Sequence, residues 1–401
     1  MIIGIYETLM LACLVLFLGR LFVRNIPFLK KYNIPEPVVG GFILALVSWI
    51  IYAAFDIELA FSESFQYGMM YIFFSSIGLN ADFSQLVKGG KALVIFLVVA
   101  AIFIVFQDVV GVAMAKLLNL DLRFGLIAGS VSLTGGHGTA GAWASDFLAS
   151  SNPLLGAKEI GMACATFGLI FGGIIGGPLA HRLLKKNNIK PLSEKEQALQ
   201  EDTHEITEEK FPQDKVTYRS LFQVVMLLSI CLVLGQYIAD WNAQYSFKLP
   251  TFVWCLFIGV VLRNLSTYVF KQKIYNEPVD ILGNIGLSLF LATALMSLKL
   301  WLVVDLALPI LVILLVQVIG MLCYAFYVTY RVMGKDYDAI VLSAGHCGFG
   351  LGATATAVAN IQAVTNVYGH SFKSFLIIPM VGAFFIDILN ALILNVFVSL
   401  I

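Results

Sequence analysis

The chain has 401 residues, 59% of them hydrophobic and 12% charged, with 25 Lys+Arg balancing 25 Asp+Glu, and a mean hydropathy of +0.89. Soluble domains carry roughly 25% charged residues, so an ordinary cytosolic enzyme is excluded, and zero net charge excludes a nucleic-acid binder built on a basic patch. The apolar residues come in long unbroken runs rather than short alternating ones, which argues against a transmembrane β-barrel and for an all-α polytopic membrane protein.

A helix needs about 20 apolar residues to cross a bilayer core. Runs of that length fall at 2–23, 37–55, 67–86, 92–116, 159–180, 220–239, 250–270, 281–299, 303–330 and 373–400, giving ten expected spans. Two further stretches, 123–150 and 338–363, are apolar but crowded with Gly, Ala, Ser and Thr. No basic region precedes the first apolar run, so it does not read as a cleavable signal peptide. The six cysteines have no CxxC spacing and read as small buried hydrophobes. The one long polar stretch, 185–218, is rich in Lys and Glu and has few residues that could form a core. It reads as a cytoplasmic linker between halves at 1–184 and 219–401. With both termini outside, all basic residues but Lys116, Arg123, Lys158, Lys248 and Lys299 fall on the cytoplasmic side, as the positive-inside rule asks.

A shift of 209 residues lays Val131–His137 over Ile340–His346, with Leu133, Gly136 and His137 matching outright and Gly111 over Gly320. In each half the match follows the fourth span and precedes the fifth. Five spans per half is an odd number, so the halves enter the membrane from opposite sides, an inverted repeat typical of secondary transporters. The two Gly-rich stretches then must return to the side they left, as re-entrant hairpins. Such backbone is tolerated at membrane depth only where protein or a watery cavity satisfies it.

Gly135, Gly136 and Gly138, with Gly345, Gly348 and Gly350, are expected to supply the turns, and Thr139, Thr354 and Thr356 to cap the arms that follow. Two half-helix N-termini meeting near the midplane would offer N–H groups to an anion, with Thr134, Ser343 and Cys347 beside them. The glycines of 168–177 read instead as helix-packing residues. His137 and His346 serve as hydrogen-bond donors, as a proton carrier, or as ties for the turns. Asp387, midway through the last span, either neutralises an ammonium group or ligates Na⁺ with Asn390 one turn on. Asn80, Asn284, Ser288, Thr293 and Thr166 add oxygens suited to Na⁺, although Ser and Thr also bond back to their own helices. Asp108, beside Gln107, is a further buried-carboxylate candidate unless it lies near enough to the outer end to be hydrated. No Cys/His/carboxylate set has zinc-ligand spacing, and no nucleophile–base spacing supports a hydrolase.

Five strings carry a resemblance to the bacterial glutamate:sodium symporters: Lys30–Pro37, Gly135–Thr139, Met162–Gly168, Gly345–Thr354 and Pro379–Asp387. The resemblance covers almost the whole chain. It implies Na⁺-driven uptake of L-glutamate across the bacterial inner membrane, Na⁺ as coupling ion with no other cofactor, a homodimer, and an elevator-like mechanism. Family members often carry Pro where this chain has Ala355, between Thr354 and Thr356. A Na⁺-coupled di- or tricarboxylate carrier of the same five-plus-five plan is the alternative, and a channel is a third.

Overall fold

A computed structural model describes residues 3–31, 34–150, 152–188, 216–242, 244, 249–272, 274–299 and 306–401. Most of the 185–218 linker and the first residues of the 303–330 span lie outside the described residues. The described chain is helical throughout. In order it forms α1 (Ile5–Asn25), α2 (Pro27–Lys31), α3 (Glu36–Phe55), α4 (Glu63–Asn80), α5 (Ser84–Leu117), α6 (Leu122–Leu126), α7 (Gly136–Ala149) and α8 (Ala157–Lys186). The second half forms α9 (Tyr218–Asn242), α10 (Thr251–Tyr268), α11 (Asn276–Met296), α12 (Ala307–Tyr324), α13 (Tyr330–Val332), α14 (Tyr337–Leu351), α15 (Thr354–Tyr368), α16 (Phe372–Met380) and α17 (Ile386–Leu400).

Eight of the described helices are long and apolar enough to cross a membrane. The ten expected spans include two that fall short of this, for visible reasons. Helix α4 is diluted by Gln66, Ser75, Ser76 and Asn80, and the run 373–400 is divided between α16 and α17 by a π-type turn at Val381–Phe385. Pro379 lies just before that turn, where its missing N–H and its ring oppose a regular ladder. Outward-facing side chains such as Phe17, Ile50, Tyr237 and Leu308 are largely exposed, an apolar outer surface that lipid would cover.

The helices sort into two sets by their packing. Helices α1, α3, α4, α9, α10 and α11 form one: α1 lies on α3, α9 on α10, and α4 and α11 pack on each other while α10 lies on α4 and α3 on α11. Helices α5–α8, α12 and α14–α17 form the other, centred on α8, against which α7, α14 and α15 pack. Between the sets the principal contacts run from α11 to α7 and α8, and from α4 to the turn before α17.

Both Gly-rich stretches are helix–break–helix hairpins. The first has a ten-residue arm, Leu122–Val131, and α7; the second has α14 and α15. At 1.5 Å per residue, arms of 10–15 residues reach only about halfway to three-quarters across a ~30 Å core. Each hairpin is clipped at its base. Arg123 donates to Asp121 at 2.9 and 2.6 Å and to the carbonyl of Asn152 at 2.7 Å, joining the two ends of the first. Tyr337 donates to the carbonyl of Gly369, and Ser371 to Asp338 at 2.7 Å, in the second.

The second hairpin seats on a glycine face of α8. Gly168 approaches so closely that a Cβ there would lie 1.9 Å from the carbonyl oxygen of Leu351; Gly172 and Gly176 continue the face against Gly348 and Asn360. Gly177, expected to pack in the same way, faces open space. Gly168→Ala should therefore force the backbones apart at a cost of about 1–3 kcal/mol, seen as a lowered Tm in detergent, whereas Gly177→Ala should leave Tm unchanged. At the first hairpin, the Arg123 hydrogen bond holds the Asp121 carboxyl below the usual carboxylate range. The pair is partly exposed and worth ~1 kcal/mol or less. Its contribution is complete above the unfolded value near ~3.9 and is lost as pH falls through the lower folded value. Asp121→Asn should thus destabilise slightly at neutral pH, and its difference from wild type should close in acid titrations of Tm.

Candidate functional site

The two helix sets enclose a cavity of about 640 Å³. From the first hairpin it is lined by Thr134, Gly135, Gly136, His137 and Gly138, and from the second by Gly352, Ala353, Thr354, Ala355 and Thr356. Gly382, Ile386 and Asp387 close one side, while Pro35, Glu36, Pro37, Phe73, Asn284, Leu287, Ser288 and Leu291 come from the opposing set. The first turns of α7 and α15 therefore share one cavity. Neither N-cap, Gly135 or Ala353, makes a side-chain capping bond, so first-turn N–H groups with no intrahelical acceptor border the space, along with the positive ends of two helix dipoles. Among the described residues no Lys or Arg lines it.

The two breaks touch. Gln107, on α5, donates to the carbonyl of Gly350 at 2.8 Å. The Thr134 hydroxyl donates to Gln107 Oε1 at 2.5 Å and lies 3.2 Å from the same carbonyl. Gly136 has φ +66°, a conformation that L side chains resist, and a Cβ there would lie 3.4 Å from the carbonyl oxygen of Gly352. Asp387 is half-buried and, among the described residues, has no ion-pair partner.

Thr134, Gly135, Gly136, His137, Gly138, Thr354, Thr356, Asp387, Asn284 and Ser288 are thus brought together. The other candidates lie elsewhere. Thr139 is inside α7 rather than at its cap. Thr354 also does not cap; its hydroxyl donates to the carbonyl of Gly382 at 2.5 Å, a group beside the π-type turn. Ser343 and Thr293 bond back to Ala339 and Leu289. Asn80 donates to Asp280 at 2.7 Å, at the end of α4. Thr166 bonds back to Met162 and meets His137 Nε2 at 3.0 Å, one layer behind the cavity. Asn390 donates to the carbonyl of Ser130.

The expected pairing of the histidines is corrected. His137 follows the first break, whereas His346 precedes the second, deep within α14. His346 is enclosed by Phe96, Phe103, Tyr324 and Phe349, with Nδ1 2.9 Å from the Thr329 hydroxyl. Likewise Gly345, Cys347, Gly348 and Gly350 are buried inside α14 and have no positive φ. These glycines admit close neighbours such as Ile378 and Ala357 rather than making the turn. The 209-residue match therefore lays the first tip over a tightly packed segment inside α14 rather than over the second tip.

Sequence reasoning passed over Glu36 between its two prolines, and Phe73, Leu287 and Leu291, because these sit on ordinary spans and meet the hairpins only through tertiary packing. Pro35-Glu36-Pro37 was itself a signal: Pro in a first turn marks a helix start, here one that ends at the cavity. For the joined tips, Gln107→Leu should strand the Gly350 carbonyl, costing about 1–3 kcal/mol. Hydrogen exchange at residues 350–353 should quicken; unchanged exchange would show that Gln107 does not hold the tips together.

Comparison with known proteins agrees in one direction. The family model for the sodium/glutamate symporter matches residues 1–370. A sodium/glutamate symporter of Haemophilus influenzae is 52% identical over 391 residues, covering 98% of this chain and 96% of that protein. Relatives with the same description in Escherichia coli and Shigella flexneri are each 47% identical over 395 residues, covering 98% of this chain and 97% of theirs. With a whole-length likeness of this degree and a cavity bordered by two hairpin helix starts, the chain belongs to the sodium/glutamate symporter family.

Proposed function

We propose that this protein carries L-glutamate into the cell together with Na⁺, across the bacterial inner membrane. The observation that carries the reading is the pair of uncapped helix N-termini bordering one cavity that, among the described residues, has no basic side chain. Backbone N–H groups of Gly136–Gly138 and Thr354–Thr356 receive the substrate's carboxylates, as helix starts receive anions generally. Asp387, across the cavity, pairs with the α-ammonium. Glutamate keeps a net negative charge, which a co-bound Na⁺ offsets.

The packing supports ten crossings in two inverted halves, with α4 and the divided α16–α17 counted among them. The helix pairs come in matching couples: α1 on α3 with α9 on α10, and α3 on α11 with α10 on α4, about the central pair α4 and α11. This is the exchange that a two-fold axis between halves produces. The set holding both hairpins is the moving body, and it includes the fourth spans α5 and α12 as well as the fifth and tenth. It slides against the α1, α3, α4, α9, α10 and α11 scaffold, carrying the cavity from one face to the other. The outward faces of α1, α3 and α9, the least buried of the long spans, offer the surface for a homodimer, and the distribution of basic residues supports both termini lying outside.

Purified protein in liposomes should accumulate L-glutamate under an inward Na⁺ gradient and release it when the gradient collapses. Accumulation that proceeds equally in K⁺ would sink the coupling. Asp387→Asn should lower kcat/KM for glutamate on the order of ten- to a hundredfold, the scale of a lost charge-assisted bond of ~1.5–3 kcal/mol. Dicarboxylates without an amino group should compete weakly in wild type; strong competition would favour the dicarboxylate carrier.

A further inference from the structure

The first hairpin is anchored on a buried carboxylate that the cavity does not reach. Asp108, on α5, is 0% exposed. Its Oδ1 accepts the Ser130 N–H and its Oδ2 the Ser130 hydroxyl, each at 3.1 Å. Both oxygens are thus acceptors, and among the described residues no cationic side chain pairs with it. A buried unpaired carboxylate is too costly to be left as it stands.

The groups around it have the same bias. Gln317, 0% exposed on α12, donates its NH₂ to the carbonyl of Gln107 at 2.7 Å. Asn390, 1% exposed on α17, donates its NH₂ to the carbonyl of Ser130 at 3.2 Å. Each amide then leaves its own carbonyl oxygen buried without a donor. Flipping either amide would only set oxygen against oxygen. Gly129 packs closely on these groups: the point a Cβ would occupy lies 3.1 Å from Asp108 Oδ1 and 3.2 Å from the Gln107 carbonyl oxygen, so a side chain there would crowd both. An excess of oxygen acceptors, one anionic, beside non-helical backbone (Gly129 φ −100°, ψ −133°) is the donor set of a small hard cation.

We propose that Asp108, with the Gln107 carbonyl and the side-chain oxygens of Gln317 and Asn390, forms a Na⁺ site separate from Asp387. The inference rests on the reading of the protein as a Na⁺-coupled carrier and locates the ion within it. It also explains how ion and substrate are linked. Ser130, held by Asp108, accepts the Gly135 N–H at 2.9 Å through its carbonyl, and Gln107 holds Thr134 and Gly350. A cation at Asp108 therefore fixes the segment that ends in the cavity-lining residues Thr134–Gly138, and ordering that segment in advance favours glutamate.

The test uses full-length protein, purified and reconstituted, with ²²Na⁺ binding measured without glutamate and Na⁺-dependent uptake measured with it. Asp108→Asn should raise the half-saturating Na⁺ concentration at least tenfold and abolish Na⁺-induced thermal stabilisation. Asn390→Ala should raise it several-fold, and Asp387→Asn should keep ²²Na⁺ binding while losing glutamate affinity. Wild-type Na⁺ affinity in folded Asp108→Asn protein overturns the site, as does a change in the pH profile of uptake with Na⁺ dependence intact, which would make Asp108 a proton carrier. If wild type itself shows no Na⁺ dependence, the functional reading falls and the site with it. If Asp108→Asn protein does not fold, the smaller Asn390→Ala shift decides, and its absence overturns the proposal.

Discussion

Two stretches of chain stop being helical in the middle of an apolar molecule, and the rest of the structure is arranged to make that tolerable. Broken backbone in hydrocarbon exposes N–H and C=O groups that nothing in lipid can satisfy. Here the two breaks are set against each other and share partners: Gln107 and Thr134 from one side of the meeting point serve the Gly350 carbonyl from the other. The first-turn N–H groups of α7 and α15 have no intrahelical acceptor, and they border the cavity. The open backbone ends of the fold and the wall of the cavity are the same atoms.

Tight packing around α8 follows from this constraint. A hairpin that crosses only part of the bilayer gains no end anchorage from the far side, so its position depends on lateral fit. Gly168, Gly172 and Gly176 let α14 and α15 approach to backbone contact, while Arg123 and Tyr337 secure the bases. Hairpins, α8 and the divided last helix form one closely packed set, with the thinner contacts of α11 and α4 marking where it meets the other helices.

Much of this was legible in the residues. Long apolar runs located the spans, and the concentration of Gly, Ala, Ser and Thr at 123–150 and 338–363 marked the hairpins, since only there do small residues replace Leu and Ile over more than 20 positions. The first tip was readable because Gly136 needs a left-handed φ. The second was not: Gly345, Gly348 and Gly350 look like turn residues, yet they serve close packing inside α14, and the break falls after them at Gly352 and Ala353. Glycine in sequence does not distinguish a bend from a close approach. Nor does sequence order show that Asp108, Gln317 and Asn390, on three separate helices, share one buried neighbourhood; that arises only when α5, α12 and α17 pack about the first hairpin.

Among the described residues no lysine or arginine lies along the cavity, and on the proposed function this bears on the unloaded carrier. A fixed guanidinium would neutralise the acids beside it at all times, making an unloaded passage through the bilayer nearly as easy as a loaded one. With Asp387 and Glu36 bordering the space and, among the described residues, no Lys or Arg beside them, a carrier of the proposed kind would hold these acids least compensated when it is empty. On that reading, solvation itself would oppose slippage without cargo.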